Sequence, residues 1–161
     1  MFVLANFFIY LWISLCGIGL ENMGKSYFLL KTEPEDWSWD MQVKSGDKGA
    51  EWNGVRNFQA AKNLRNMKMG DKCFFYHTGD TKSIVGVAEV IKEAFLDKTD
   101  KTGKFVSVKI KALYPLKTKV SLSEIKKNKL FRDFSLINQS RLSVMGVNLK
   151  YWKKICKMGK I

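Results

Sequence analysis

Cysteine and histidine are scarce in this chain, with three cysteines and one histidine among 161 residues. Cys16, Cys73 and Cys156 are far apart and odd in number, so neither a disulfide framework nor a Cys-x-x-Cys zinc or redox motif is available. The lone His77 closes most remaining routes to zinc, and no metal or cofactor is expected. Free thiols suit a reducing compartment, the cytoplasm or, in a eukaryote, the nucleus. Gly-x-Gly-x-x-Gly and Gly-x4-Gly-Lys-Ser/Thr are also missing, which removes the phosphate-cradling loops and with them a doubly wound nucleotide-binding fold.

Acidic residues are the other shortage: 15 Asp+Glu face 28 Lys+Arg, a formal charge of +13. No basic residue precedes Met23 and Glu21 is the only charge there, so setting Glu21 aside leaves +14 on residues 23–161. Such a surplus points to a polyanionic partner, nucleic acid or an anionic membrane face, and nucleic acid is the stronger reading. With 46% apolar and 13% aromatic residues the chain carries ample material for one core, and its length suits one domain, read as a monomer.

Residues 2–20 carry no charge and are long enough to span a bilayer. They lack the basic start and the small-residue cleavage site of a signal peptide. Composition changes abruptly at Met23-Gly24-Lys25-Ser26. Residues 1–22 are therefore read as a hydrophobic leader, lying upstream of a true start at Met23 or acting as a membrane anchor, and residues 23–161 as a single domain. A membrane is a partner only if the leader is real.

Along the body, residues 27–31 form a strand candidate ended by Pro34, and Ser38 is placed to cap a short helix. Residues 46–49 read as a loop. Val55, Phe58, Ala61 and Leu64 share helical spacing, which predicts a helix over residues 55–67. Residues 72–76 and 84–91 are strand candidates separated by a turn over residues 78–82. After a polar loop at residues 97–103, Val106, Val108, Ile110 and Ala112 alternate with Ser107, Lys109 and Lys111, the clearest half-buried strand. Ser121-Leu122-Ser123-Glu124 matches a capping box. Residues 142–147 are a last strand candidate, and Asn148 is placed to cap a closing helix with Leu149, Trp152 and Ile155 on one face. About five strands flanked by short helices predict an α+β domain around a mixed or antiparallel barrel.

Catalytic readings are weak. Cys73 and His77 share a strand face, but at ~3.3 Å per residue their α-carbons lie about 13 Å apart, beyond nucleophile-base contact, and Cys73 reads as core. Glu33, Glu35, Asp36 and Glu51 sit beside a proline turn and a loop, as ordinary solvated acids do.

Three stretches concentrate residues that a plain loop does not need: Lys31-Thr32-Glu33-Pro34, the run Glu51-Trp52-Asn53-Gly54-Val55-Arg56-Asn57-Phe58-Gln59-Ala60, and Ser140-Arg141-Leu142-Ser143-Val144-Met145. With Phe74-Phe75-Tyr76-His77 and Gly86-Val87-Ala88-Glu89-Val90 they resemble the EVE domain, a PUA-like family, over residues 27–152. The resemblance implies a PUA-like pseudo-barrel flanked by helices, with a pocket for a modified nucleobase such as methylated or hydroxymethylated cytosine in DNA, and a reader in place of an enzyme. It implies a pocket drawn from Trp52, Val55, Arg56, Asn57, Tyr76, His77, Arg141, Leu142 and Ser143, with Lys31, Ser38 and Trp39 as neighbours or rim. The chain departs from the family at Asn53, where aspartate is common, at Thr78, where serine often stands, and at Gly146, where proline is usual.

Beside these roles stand plainer ones. Trp52 and Tyr76 suit a core, His77 suits a bond to a backbone group, and Trp37 and Trp152 read as packing. Arg56 or Arg141 suits either a phosphate clamp or a buried carboxylate that orients a loop. The alternatives are a PUA-like RNA-binding module for modified or structured RNA, separable through 2′-hydroxyl dependence, and a small hydrolase or nuclease of a related barrel family, separable through turnover.

Overall fold

The computed structural model describes residues 24–161; the hydrophobic leader and the start at Met23 lie outside the described residues. The chain runs β1 (Tyr27–Thr32), α1 (Trp39–Lys44), a 3₁₀ turn (Gly46–Lys48), β2 (Ala50–Trp52), α2 (Phe58–Asn66), β3 (Lys72–His77), β4 (Ser83–Leu96) and β5 (Val106–Ser121). It closes with α3 (Leu122–Lys127), a second 3₁₀ turn (Lys129–Phe131), α4 (Ser135–Asn138), β6 (Val144–Gly146) and α5 (Leu149–Gly159).

Among the described residues the strands form one six-stranded sheet in the order β2-β5-β4-β3-β1-β6. Only β1 and β3 are parallel; every other neighbouring pair is antiparallel. Parallel neighbours need a long crossover, and the chain supplies α1, β2 and α2 between Thr32 and Lys72. The sheet curls into a half-barrel flanked by short helices, the mixed α+β architecture that the resemblance implies. On a flat sheet β2 and β3 would lie about 14 Å apart, three strand spacings. Curling brings Trp52 of β2 to a ring-centroid distance of 5.5 Å from Phe75 of β3.

Neighbouring residues of a strand point to opposite faces, so Phe74 and Phe75, both fully buried, serve different layers. On the Phe74 side α5 lays Trp152 against Phe74 at 3.9 Å and against Tyr27 at 4.4 Å. On the Phe75 side sit α1 and β2 with Trp39 and Trp52. Burying a large apolar side chain contributes about 1.5–3 kcal/mol, so each layer is a substantial share of the core.

Local signals place the helices. Ser38 Oγ accepts from the Met41 N–H at 3.2 Å and caps α1. Ser121 and Glu124 form the expected reciprocal capping box of α3. Asn148 Oδ1 accepts from the Lys150 N–H at 3.0 Å and caps α5.

Five details differ from the sequence reading. Helix α2 begins at Phe58, not Val55, because Asn57 takes the cap position and Val55 is buried from the preceding loop. Residues 50–52 form a sixth strand, paired with Val108–Ile110 of β5, and residues 46–48 a 3₁₀ turn. The last strand shrinks to Val144–Gly146. Trp152 and Ile155 are buried as expected, but Leu149, the first residue of α5, stays 47% exposed.

Candidate nucleic-acid interface

Phe75 is the floor of an aromatic group. Trp39 stands on it at 5.3 Å and 69°, Trp52 at 5.5 Å and 84°, and His77 at 5.6 Å and 77°. Three rings from α1, β2 and the end of β3 thus meet one ring steeply, the edge-to-face arrangement that aromatic quadrupoles favour. Gly86 of β4 pairs with Phe75 and leaves room for Trp39; a Cβ there would run into the indole. Helix α1 is docked by buried Gln42, whose Nε2 donates to the Ile110 carbonyl at 3.0 Å and whose Oε1 accepts from Trp37 Nε1 at 2.9 Å.

His77 is both a packing residue and a polar one. Its Nε2 accepts the Trp39 N–H at 3.0 Å, which assigns the proton to Nδ1. Among the described residues Nδ1 has no protein partner, so it is free to donate outward. Burial, reinforced by Lys119, holds the His77 pKa below its ordinary value of 6.5, against weaker opposing effects of Asp40 and Glu35. The ring is therefore neutral at pH 7 and presents one N–H.

The loop from Asn53 to Asn57 is held by Asp97. Its buried carboxylate accepts from the Gly54 N–H at 2.9 Å, from Arg56 Nη1 at 2.7 Å, and from the Thr99 N–H and Oγ1 at 2.8 and 2.7 Å. Burial opposes ionisation of Asp97, but these donors outweigh it and hold the carboxyl well below the usual range. Arg56 also donates to Thr99 Oγ1 at 2.7 Å and lies 5.4 Å over the Phe105 ring. Of the two roles open to Arg56, loop orientation through a buried carboxylate is the one this geometry makes. Asn57 Oδ1 accepts from the Ala60 N–H at 2.9 Å as the cap of α2, which leaves its exposed amide nitrogen free.

A third cluster joins β1 to the segment before β6. The Lys31 N–H donates to the Ser143 carbonyl at 2.8 Å, carrying the β1–β6 register one residue further. Half-buried Lys31 donates through Nζ to the Ser140 carbonyl at 3.0 Å, and burial lowers its pKa. Leu142 is buried, Ser143 half-buried and Arg141 exposed.

Trp52, His77 and the rim residue Trp39 therefore come together on Phe75, while Val55, Arg56 and Asn57 form the latched loop. Tyr76 is buried at 3% exposure and pairs with Lys31, so strand alternation turns both to the sheet face away from His77. Phe75, Gly86, Asp97 and Thr99 are the site residues that sequence reasoning missed. Asp97-Lys98-Thr99 carries the signal of an Asp side chain turning back on its own loop, but nothing in the sequence ties it to Arg56, 41 positions away.

Among the described residues no group of three or more His, Cys, Asp and Glu could hold a metal, and no helix is long and apolar enough to cross a membrane. Cys73 is fully buried, and burial pushes its thiol pKa up, as befits a core residue.

Residues 26–158 match the model of the EVE domain family. Thymocyte nuclear protein 1 from Rattus norvegicus is 40% identical over 94 residues, 52% of this chain and 40% of that protein, so the chain spans about two fifths of the relative's length. The solved structure of Rpa0253 from Rhodopseudomonas palustris is 49% identical with a TM-score of 0.80, covering 84% of this chain and 93% of that one. Human THYN1 in complex with DNA containing 5-methylcytosine shares the fold at a TM-score of 0.78 and 23% identity, covering 85% of this chain and 99% of that one. Family match, curled mixed sheet and the order of the motifs agree: the chain belongs to the EVE domain family.

Proposed function

We propose that this domain binds nucleic acid and reads a modified nucleobase, such as methylated or hydroxymethylated cytosine in DNA, without catalysing a reaction on it. The observation that carries the reading is the aromatic group on Phe75, where Trp39 and Trp52 stand steeply beside His77 with its outward Nδ1–H. The related human protein, crystallised with DNA containing 5-methylcytosine, supports the same class of ligand.

A base turned out of its stack costs a few kcal/mol, and stacking on an aromatic ring returns about 1–3 kcal/mol. Stacking roughly offsets extrusion, so selectivity must come from fit around the extra group and from donors that read the base edge. His77 Nδ1–H, the exposed Asn57 amide nitrogen and Ser143 are the candidate readers; Val55 and Leu142 shape the walls, Arg141 and Ser38 lie at the rim, and Tyr76 and Lys31, on the other sheet face, stand outside this pocket. Overall affinity comes from lysines that neutralise phosphates without reading sequence. A monomer suffices for this task, in the cytoplasm or, in a eukaryote, the nucleus.

The test is binding of the full chain to fluorescent oligonucleotides carrying cytosine, 5-methylcytosine or 5-hydroxymethylcytosine, at low and high salt, with deoxyribose and ribose versions of each. A preference for a modified deoxy-oligonucleotide that survives high salt is expected. Uniform binding that vanishes with salt contradicts the reading, a preference for ribose moves it to RNA, and cleavage or deamination of the oligonucleotide moves it to an enzyme.

A further inference from the structure

A concavity of about 1030 Å³ opens between α5 and α2 at the β1–β6 edge of the sheet, and none of its lining residues belongs to the aromatic group on Phe75. Tyr27 and Trp152, stacked at 4.4 Å and 28°, contribute to its lining, together with Asn66 of α2. Lys25, Lys153 and Lys157 also line it, and no Asp or Glu does. Helix α5 as a whole carries four lysines and no carboxylate. Lys150, Lys153, Lys154 and Lys157 follow the i, i+3, i+4, i+7 spacing of one helix face, opposite the buried Tyr151, Trp152, Ile155 and Gly159.

Among the described residues none of these four lysines forms an ion pair, and only Lys150 has an aromatic partner, the Tyr151 ring at 4.9 Å; four cations on one face repel one another, and a solvated surface gains nothing from that arrangement alone. A polyanion relieves the repulsion and releases its own counterions, so the face is complementary in charge to a ligand with closely spaced phosphates. We infer that the α5 face and its concavity form a second nucleic-acid contact, which holds the phosphodiester backbone whatever base is presented. The inference rests on the nucleic-acid half of the function proposed above, not on base discrimination. The concavity and the Lys150, Lys153, Lys154 and Lys157 face share no residue with Trp39, Trp52, Phe75 and His77, so the two respond to different substitutions.

The full chain carrying K25Q, K153Q and K157Q together is compared with wild type, with the charge-matched triple K126Q, K127Q and K129Q, and with the charge-retaining K25R, K153R and K157R. Affinity for plain and 5-methylcytosine oligonucleotides is measured from 50 to 200 mM salt. The first variant is expected to lose about tenfold in affinity for both oligonucleotides and to lower the log-log salt slope by about 2–3, near 0.9 per lost phosphate contact. The charge-matched triple is expected to change affinity less than about twofold, as diffuse steering alone would, and the arginine variant to retain wild-type behaviour. Equal losses in the two glutamine triples overturn the inference, as does an unchanged salt slope. Loss of binding to phosphatidylserine vesicles with oligonucleotide binding intact overturns it in favour of a lipid surface. Discrimination between the two oligonucleotides reports on the aromatic site and the salt slope on this one, so either proposal can fail while the other stands.

Discussion

The two faces of β3 show how one strand serves two purposes. On the Phe74 face, Trp152 lies between Phe74 and Tyr27 with near-parallel rings, and the layer is closed by a helix that buries four of its residues. On the Phe75 face the rings meet steeply, a glycine replaces a side chain beneath Trp39, and His77 keeps an unpartnered N–H. The first face maximises apolar contact. The second fills the space over Gly86 with the Trp39 indole and leaves His77 Nδ1 without a partner among the described residues, the one polar group there that a ligand would pair.

The comparison breaks first at Trp152. Trp152→Ala removes both stacked contacts and is expected to cost about 3–5 kcal/mol in denaturant unfolding, while any surviving folded fraction keeps its base discrimination. Loss of discrimination with stability intact would reverse the roles of the two faces. Gly86→Ala acts on the other side: the new methyl displaces Trp39, with an expected cost of about 1–3 kcal/mol. Discrimination is expected to fall even where thermal melts show the protein folded.

Asn57 sharpens the picture because it holds two roles. Asn57→Ala should cost about 1 kcal/mol through the lost cap, whereas Asn57→Asp keeps an acceptor for the Ala60 N–H and restores stability. Both variants remove the amide donor, so both should weaken modified-base binding; recovery of binding in the aspartate variant would confine Asn57 to capping.

The smallest effect is pH. His77 has a folded-state pKa below 6.5, so its contribution to stability is fully present above that value. It is lost as pH falls from 6.5 through the folded pKa, because the unfolded chain takes up the proton first. Protonation also puts a hydrogen on Nε2, where the Trp39 N–H now points. Unfolding midpoints should therefore fall more steeply below pH 6.5 in wild type than in His77→Gln. Parallel curves would assign the acid sensitivity elsewhere.

Much of this architecture was legible from local chemistry. The caps Ser38, Ser121 and Asn148 act within three residues of themselves, and the alternation from Val106 to Ala112 needs only one buried face. Strand β2 was not legible, since three residues are too few to show a period and its partner lies nearly sixty positions later. The start of α2 was misjudged because Val55 continues the apolar spacing of the helix while being buried from a loop. At the site, Trp52 and His77 were legible as a pair of functional residue types. Their meeting through Phe75 was not, because it depends on the curl of the sheet. Tyr76 was grouped with His77, yet adjacent strand positions face opposite ways. Asp97 stayed hidden because its partners Gly54 and Arg56 belong to a distant loop.

We assign base discrimination to the Phe75 face. The most direct test is the ratio of affinities for 5-methylcytosine and cytosine oligonucleotides in wild type and Trp52→Ala, at a salt concentration that suppresses backbone binding, with near-ultraviolet circular dichroism to verify folding. A ratio clearly above one in wild type that collapses to about one in a folded Trp52→Ala protein is expected, since stacking on the ring returns about 1–3 kcal/mol. An unchanged ratio in the folded variant would contradict this assignment.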